Sequence, residues 1–284
     1  MRSEKELFDL ILGIAKADTR IRAVLMVGSR ANPNAPKDEF QDYDITYFVT
    51  EVTPFYDNLT WIEENFGKPV LLQMPERMTH PLLPPENDGH FTYLMIFEDG
   101  NRIDLSIEDK PYLDDGEPAI VLLDKDGFLP NLPAPTDALW HVKAPKEAIF
   151  HDCCNEFWWC LNNVGKGIAR DELPYVMGMF HHPVRDMLHQ MIEWHIGIQT
   201  DFSVSVGKMG KYYKKYLSEE LYEMYLKTYS DGNYQTIWTA VFTACELFHT
   251  LAVNVADHFG YLYHLQEEKA MLCYLNGIKQ NSKK

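Results

Sequence analysis

Hydrophobic positions in the N-terminal half of the chain follow two spacings, one helical and one extended. Apolar side chains recur every three or four residues over 3–17 behind a capping box, so this segment is predicted as a helix. A shorter helix is predicted over 55–66, ended by Gly67. Short apolar or alternating runs predict strands over 20–27, 43–49, 91–97, 102–108 and 119–123, the third and fourth forming a hairpin.

The C-terminal half has the longer, helical period throughout. Amphipathic segments predict helices over 146–170, 184–199, 217–229, 233–260 and 263–276. A proline-rich stretch between Pro130 and Pro145 separates the two patterns. The sequence therefore predicts an α+β protein, with a small mixed β-sheet domain over 1–140 followed by an α-helical bundle domain over 141–284.

Composition narrows the class of protein. Hydrophobic residues make up 46% of 284, which suits a folded chain, and no apolar run reaches the roughly 20 residues that a membrane span needs. The charged N-terminus leads into an amphipathic stretch, unlike a secretory signal. The five cysteines contain no Cys-x-x-Cys pair, so zinc is disfavoured. A reduced, cytoplasmic location without membrane contact is predicted.

The formal net charge of −16 limits the kind of ligand that the protein can bind. Residues 1–145 carry 13 basic and 26 acidic side chains, a net charge of −13, whereas the remainder carries −3. A protein that grips nucleic acid through its phosphates has a basic face, so no nucleic-acid partner is predicted. Two interpretations of the acidity stay open, namely simple solubility and attraction of a cationic ligand.

Three short motifs carry candidate chemistry, and the first is Gly28-Ser29-Arg30 at the end of a predicted strand. Glycine lets the backbone approach a ligand closely, and a serine hydroxyl with nearby backbone N–H groups can hydrogen-bond phosphate oxygens. Alone, Gly-Ser is usually a turn, so its weight depends on the other two motifs.

The second and third motifs consist of carboxylates. Asp42 and Asp44 lie at the start of the predicted strand 43–49, and Asp104 lies within the predicted strand 102–108. Residues two apart on a strand share a face, so Asp42 and Asp44 point the same way, and Asp104 lies on the polar face of its own strand. An Asp-x-Asp pair alone is more often a solvated strand edge than a site. Together with Gly-Ser, the three acids predict a single cleft.

Grouped carboxylates need a cation. At an effective dielectric near 20, two unit charges about 4 Å apart repel by roughly 4 kcal/mol, so acids facing a triphosphate would exclude it. Mg²⁺ prefers oxygen ligands, leaves positions for phosphates and reverses this repulsion. Asp42 and Asp44 are therefore predicted to share Mg²⁺, and Asp104 to complete the metal site or accept the proton of an attacking hydroxyl.

In the C-terminal half, Asp152, Glu156 and Trp159 lie at helical spacing. They are candidates for contact with a cationic ligand, through carboxylate charge and through the indole face. The alternative stays open that the neighbouring Phe157 and Trp158 are core residues while the acids are merely solvated.

The three motifs resemble those of the DNA polymerase β-like nucleotidyltransferases, whose small mixed sheet carries two metal-binding aspartates and a third carboxylate. More narrowly, the chain resembles the bacterial aminoglycoside 6-adenylyltransferases, the streptomycin-resistance enzymes. The likeness spans nearly the whole chain and is carried by residues 1–6, 38–49, 123–126, 152–158, 205–208 and Lys211.

This resemblance implies ATP as donor, Mg²⁺ as cofactor, and transfer of AMP to a hydroxyl with release of pyrophosphate. Position by position, Gly28 and Ser29 would contact phosphates, Asp42 and Asp44 would hold the metal, and Asp104 would be the third ligand or the base.

The resemblance also implies that Lys208 and Lys211 steady the triphosphate charge, while Arg30 joins them or braces its loop. The chain departs from the family pattern at Val27, where glutamate commonly precedes Gly-Ser-Arg. Further departures replace acidic or polar residues of the helical half with His151, Gly178-Met179 and Met209-Gly210.

The leading hypothesis is an enzyme that adenylylates a cationic aminoglycoside such as streptomycin. Two alternatives stay open, the same chemistry on another small acceptor such as a lincosamide, and a protein-modifying or regulatory nucleotidyltransferase-like module. Such modules are usually short, whereas a helical domain of about 140 residues favours an enclosed small-molecule cleft. The sequence sets no oligomeric state.

Overall fold

The structure is a computed structural model that describes residues 1–80, 90–110 and 116–281. The chain divides into two compact units, Met1–Leu139 and Trp140–Lys284. Each unit has a hydrophobic core of its own.

The first unit begins with helix α1, Glu4–Ala17, as the pattern predicts. A capping box holds its start, because the Ser3 hydroxyl accepts a hydrogen bond from the Glu6 N–H at 3.3 Å and the Glu6 carboxylate accepts one from the Ser3 N–H at 2.8 Å. Leu7 and Ile11 are fully buried in the core beneath the sheet. The apolar stripe of α1 therefore covers one sheet face.

The strands are β1 Ile21–Met26, β2 Tyr43–Val49, β3 Leu71–Gln73, β4 His90–Ile96, β5 Arg102–Glu108 and β6 Ile120–Asp124. One turn of helix, α2 Gly28–Ala31, follows β1. Within the described residues the strands form one sheet in the order β3-β4-β5-β2-β1-β6. Strands β2 and β5 run parallel, and the other described pairs are antiparallel. The predicted mixed sheet is confirmed, with β3 added because three residues carry too little pattern to be recognised.

The two faces of this sheet differ because side chains alternate along each strand. On one face Tyr43, Ile45 and Tyr47 of β2 are buried together with the apolar side of α1. On the opposite face lie Asp44 and Thr46 of the same strand. The alternation thus leaves polar side chains in a row on the face that α1 does not cover.

The short helix predicted over 55–66 begins four residues later than expected, since helix α3 spans Leu59–Phe66. A separate 3₁₀ turn, Thr53–Phe55, precedes it, and Asp57 takes a left-handed φ of 54° between the two. The side chain of Asn58 then caps α3. The local turn therefore overrides the helical spacing of the apolar residues.

The second unit consists of helices packed about one core. Its described α-helices are α4 Glu147–Ala169, α5 Leu173–Met179, α6 Arg185–Gln199, α7 Tyr213–Tyr216, α8 Glu219–Leu226, α9 Tyr234–Phe259 and α10 Leu265–Asn281. The rings of Phe157 on α4 and Phe248 on α9 stack with their centroids 3.8 Å apart. The predicted helical character of this region is confirmed, and the five predicted helices are present with ends shifted by a few residues.

One irregular feature of this unit was not predicted. A π-helical turn, Phe180–Val184, joins α5 to α6 and contains Pro183, which has no N–H to donate to a regular helix. Directly after it, the buried guanidinium of Arg185 donates to the carbonyl and the hydroxyl of Thr228, at 2.9 and 3.1 Å. The turn is therefore followed by a buried arginine whose guanidinium is hydrogen-bonded within the protein.

Helix α9 is the one described helix that is long and apolar enough to cross a membrane, with a mean hydropathy of 1.3. Length and composition are weak evidence, because the core helix of a globular unit passes the same test. Twelve side chains of α9 are buried in the core, among them Trp238, Val241 and Leu251. Packing inside the unit therefore accounts for its apolar face.

Candidate active site

Three carboxylates meet on the sheet face opposite α1. Asp42 directly precedes β2, Asp44 lies in β2, and Asp104 lies in β5. Asp44 and Asp104 are direct partners in the parallel register, so their strands place them about 4.8 Å apart along the hydrogen-bonding direction. The structure thus brings together the three acids that the sequence predicts for one site.

Proximity and burial change the ionisation of these acids. Burial, followed by the negative charges of Asp104 and Asp42, raises the pKa of Asp44 to about 6. Burial also raises the pKa of Asp42, while the positive charge of Arg102 opposes the rise. Positive charge placed beside these two carboxyl groups would favour their anionic forms.

Arg102 at the start of β5 supplies part of that positive charge. Its Nε donates to Oδ1 of Asp104 at 2.8 Å, and its Nη2 donates to Oδ2 at 2.6 Å. Its Nη1 lies 3.3 Å from Oδ2 of Asp42. One guanidinium therefore joins two of the three candidate carboxylates, and it engages both oxygens of Asp104.

Gly28 closes the site from the side of β1. Its φ of +71° is left-handed, and a Cβ built at this position would overlap with Oδ2 of Asp44. The N–H of Val27 donates to the carbonyl oxygen of Asp44 at 3.0 Å, which fixes the backbone of the motif against β2. Glycine is required here because its backbone lies directly against a carboxylate.

Ser29 follows on the single helical turn α2 and lies beside Gln41. The side-chain amide of Gln41 donates to the Ser29 carbonyl at 3.3 Å and to its hydroxyl at 3.4 Å. The Ser29 hydroxyl keeps its own proton for donation, which is the role predicted toward a phosphate.

Arg30 has a bracing geometry. Its guanidinium donates to the backbone carbonyls of Asp42 and Gln41 at 3.0 and 2.9 Å, pairs with Glu4 at 3.0 Å, and lies 3.7 Å from the ring centroid of Tyr43. These contacts hold the loop that presents Asp42. They match the bracing role that the sequence left open, and phosphate contact by Arg30 stays a prediction.

A cavity of about 460 Å³ lies on the same sheet face as the acids. Its polar lining includes Thr46 and Ser106, which follow Asp44 and Asp104 by two residues on their strands, together with Glu108 and Glu117. The charge of Glu117 also contributes to the raised pKa of Asp44. The cavity therefore adjoins the carboxylate cluster and is itself acidic.

The donor set fits a hard divalent cation. Asp42, Asp44 and Asp104 offer carboxylate oxygens, the ligand type that Mg²⁺ prefers, and burial with the negative charges of Asp104 and Asp42 raises the pKa of Asp44. Within the described part of the chain, no three His, Cys, Asp or Glu side chains converge closely enough to enclose a metal ion. In this structure both carboxylate oxygens of Asp104 accept hydrogen bonds from Arg102.

The two predicted lysines belong to the second unit, on the segment before α7. Lys208 and Lys211 are both exposed. Between them Met209 and Gly210 have left-handed φ values of 57° and 73°, and Met209 is 84% exposed. The segment thus presents two ammonium groups on a constrained turn, and their contact with a triphosphate stays a prediction.

The three candidates on α4 share an exposed helix face. Asp152 and Glu156 are exposed, and Trp159 is 65% exposed, which is unusual for so large an apolar ring. The neighbouring Phe157 and Trp158 are buried in the core, which the alternative interpretation of this segment predicted. The exposed face is available for a ligand, and its function stays a prediction.

Sequence reasoning missed Arg102, Glu108 and Glu117 as members of this site. A signal for Arg102 was present, since residues two apart on a strand share a face and Arg102 precedes Asp104 by two. Glu108 shares that periodicity at the other end of β5. Glu117 lies outside any strand, so its approach to the site depends on the tertiary fold.

The similarity of this chain to known proteins identifies its family. A family model described as Streptomycin adenylyltransferase matches residues 1–278, which include every candidate residue of both units. The chain belongs to the streptomycin adenylyltransferase family. The family resemblance stated from the sequence motifs is thereby confirmed, and with it the assignment to an enzyme class of nucleotidyltransferases.

Individual relatives agree with the family. The chain is 41% identical to an aminoglycoside 6-adenylyltransferase of Bacillus subtilis (strain 168), covering 98% of each chain. It is 40% identical to one of Campylobacter jejuni, covering 95% of this chain and 93% of the relative. A crystal structure of an aminoglycoside 6-adenyltransferase from Bacillus subtilis is 38% identical over 98% of this chain and 99% of that chain, with a TM-score of 0.49.

Proposed function

We propose that this protein transfers AMP from ATP to a hydroxyl group of an aminoglycoside, with streptomycin the first candidate. One observation carries the proposal. In a chain of this family, the register pair Asp44 and Asp104 lies beside Asp42, with the Gly28 backbone pressed against Asp44. That arrangement suits a divalent cation that carries a triphosphate better than it suits a purely structural purpose, because clustered carboxylates repel one another.

Mg²⁺ is the cation that we propose for this cluster, held by Asp42 and Asp44, with Asp104 as a third ligand or as the base. When bound, it would neutralise the carboxylates and the triphosphate together. The chain's own groups do the rest of the binding. We propose that the N–H groups of the turn at Gly28 and the hydroxyl of Ser29 donate hydrogen bonds to phosphate oxygens.

The reaction needs an acceptor oxygen to bond to the α-phosphorus while the bond to pyrophosphate breaks. Asp104 is the candidate that accepts the proton of the acceptor hydroxyl. Lys208 and Lys211 are proposed to steady the negative charge of the triphosphate. Positioning of the two substrates supplies much of the rate in such a transfer.

Charge supports a cationic acceptor. The first 145 residues carry a net charge of −13, and the cavity beside the carboxylates is lined by Glu108 and Glu117. Guanidinium groups such as those of streptomycin are permanently charged and bind carboxylates through paired hydrogen bonds. Asp152, Glu156 and Trp159 on α4 are proposed as further contacts for such a ligand. We propose that the activity is cytoplasmic, where ATP is the donor.

The test incubates purified protein with ATP, Mg²⁺ and one candidate acceptor. A mass increase of streptomycin by one AMP unit is the expected result, with no such change in a kanamycin-type compound. Turnover is expected to be slow, since His151, Gly178 and Met209 stand where the family resemblance implies acidic or more polar residues.

A lincosamide and a buffer blank complete the panel. Modification of the lincosamide alone would keep the nucleotidyl transfer and replace the acceptor. Binding of ATP with no modified compound in any arm, and no pyrophosphate released, would favour a regulatory module and remove the proposal.

A further inference from the structure

Arg102 occupies a position that neither the family assignment nor the sequence motifs explain. Its guanidinium fork holds both carboxylate oxygens of Asp104 at 2.8 and 2.6 Å and approaches Asp42 at 3.3 Å. The side chain of Asp104 is only 18% exposed, whereas that of Arg102 is 42% exposed. The pair therefore lies at the rim of the cluster, with the carboxylate turned inward and the guanidinium closer to solvent.

The contacts of Arg102 use oxygens that a cation would also need. Carboxylate oxygens are the preferred ligands of a hard divalent ion, and the fork of Arg102 leaves neither oxygen of Asp104 without a donor. Arg30, the other arginine near the cluster, is directed to the backbone carbonyls of Gln41 and Asp42 instead. Arg102 is thus the guanidinium that faces the carboxylate oxygens themselves.

Electrostatics gives this contact its function. Three carboxylates repel one another, and the charge of Arg102 acts against that repulsion at both Asp42 and Asp44. A divalent cation entering the cluster would lie close to the guanidinium, and two like charges at such a distance repel. The two cations therefore exclude each other from the same oxygens.

We propose that Arg102 is an internal counter-ion that occupies the carboxylate cluster in the metal-free protein and competes with the divalent cation for Asp104. This inference rests on the proposed function, because it assumes that the cluster binds a cation. Arg102 acts through Asp104 and Asp42, so it is a positioning residue. It sets the cation concentration at which the cluster fills, and it holds the acids together before that point.

The test measures Mn²⁺ binding to the full chain without nucleotide, from the electron paramagnetic resonance signal of the free ion. In Arg102→Gln, the Mn²⁺ concentration at half-saturation is expected to fall by about tenfold or more, the size of effect that a neighbouring opposite charge has on a carboxylate. The metal-free variant is expected to unfold at a lower temperature than the wild type. Added Mn²⁺ is expected to raise its Tm by more than it raises that of the wild type.

Arg20→Gln is the matched control. Arg20 forms the same fork on an aspartate two residues away, with its Nε 2.9 Å from Oδ1 of Asp18. The exposed fractions are also alike, 40% and 16% for Arg20 and Asp18 against 42% and 18% for Arg102 and Asp104. This control is expected to leave the Mn²⁺ affinity unchanged. A second variant, Arg102→Lys, keeps the charge but loses the fork and is expected to bind Mn²⁺ with intermediate affinity.

Two results would overturn the inference. If Arg102→Gln needs more Mn²⁺ than the wild type, the arginine prepares the carboxylates for the cation and does not compete with it. If the affinity matches that of Arg20→Gln, the contact is only structural. Failure of the proposed function is distinguishable, because it appears as a wild type that neither binds Mn²⁺ nor modifies any acceptor with Mg²⁺ and ATP.

Discussion

The two units treat buried polar groups in opposite ways. On the sheet of the first unit, acids lie beside acids, and the pKa of Asp44 rises to about 6. In the helical unit, the buried polar side chains of His195, His189 and Glu193 have neutral partners instead. The imidazole of His195 lies between the amides of Asn254 and Gln199, at 2.9 Å from each.

Other buried groups of the helical unit follow the same rule. Burial lowers the pKa of His189 to about 4, and its Nε2 lies 3.0 Å from the Tyr225 hydroxyl. Glu193 has its pKa raised by burial and accepts a hydrogen bond from Tyr213 at 3.2 Å. These groups gain their partners from within the unit, so the folded chain itself satisfies them.

The polar groups of the helical unit stabilise the fold, whereas the clustered acids of the sheet form the candidate site. A network of neutral partners is complete in the folded protein and stabilises the packing of helices. A group of like charges is incomplete until a ligand arrives, and natural proteins keep such groups at functional sites. Substitutions in the two units should therefore affect different properties.

The largest effect is expected from Asp44→Asn, which should lower AMP transfer by at least about 10³-fold because a metal ligand is lost. The fold should remain intact, since the asparagine has the same shape. Initial rates of pyrophosphate release measure the loss. Asp9→Asn on the exposed side of α1 is the control and should leave the rate unchanged. Full activity of Asp44→Asn would remove this residue from the site.

Asp104→Asn should lower the rate by about 10²–10⁴-fold if Asp104 is the general base, with ATP binding largely kept. If it acts mainly as a metal ligand, the Mg²⁺ requirement and nucleotide binding should weaken together. Titration of the rate with Mg²⁺, beside direct measurement of ATP affinity, separates the two roles. A variant unchanged in both properties would contradict both.

Gly28→Ala should lower the rate by about 10²-fold, because the added methyl group displaces the Asp44 carboxylate and a misplacement of about 1 Å has that effect. The left-handed φ adds backbone strain. Gly13→Ala is the matched control, since nothing lies within 4 Å of a Cβ built there. It should keep full activity and gain slight stability. Equal behaviour of the two variants would exclude a close approach at Gly28.

In the helical unit, Arg185→Met should lower the free energy of unfolding by about 1–3 kcal/mol, because the buried oxygens of Thr228 lose their donor. The rate per folded molecule should not change. Denaturant unfolding measures the first quantity, and Arg170→Met, on an exposed arginine, is the control. A loss of turnover without a loss of stability would contradict the assignment of Arg185 to the fold and not to the chemistry.

The smallest effect concerns pH. Since the folded pKa of Asp44, about 6, lies above its ordinary value of 3.8, the protonated form favours folding. Its contribution is fully present below about pH 4 and is lost as pH rises through about 6. Metal-free Asp44→Asn should therefore exceed the wild type in stability at pH 7 by about 1–2 kcal/mol, and by little at pH 4. Thermal unfolding at the two pH values measures this difference, and its absence would mean that neither burial nor the neighbouring acids raise the pKa of Asp44 in the folded protein.

Much of this arrangement could be predicted from local pattern. Alternation predicts that Asp42 and Asp44, at the start of β2, share a face and that Asp104 lies on the polar face of its strand, and every described strand except β3 forms close to its predicted position. The pairing of Asp44 with Asp104 could not be predicted in the same way. Nothing local specifies that β2 pairs in parallel with β5, because the register depends on packing across the whole sheet.

Arg30 illustrates the limit for a single side chain. Its place after Gly-Ser left phosphate contact and loop bracing both open, and the structure directs its guanidinium to the carbonyls of Gln41 and Asp42 and to the ring of Tyr43. These partners lie more than ten residues along the chain, so only the folded loop reveals them. The predicted start of helix α3 was wrong for a local reason, because Asp57 takes a left-handed φ and interrupts an otherwise helical pattern.

The parallel pairing of β2 with β5 also fixes when the site can exist during synthesis. Roughly 60 residues separate Asp44 from Asp104, so at about 5–20 residues per second the ribosome needs several seconds to pass from one to the other. A nascent chain that has reached Gly100 contains the Gly-Ser motif and the first two aspartates, but it lacks both Asp104 and Arg102. Long-range strand pairing of this kind forms late, because the intervening loop must close first. The carboxylate cluster is therefore complete only after β5 has been synthesised and has paired with β2.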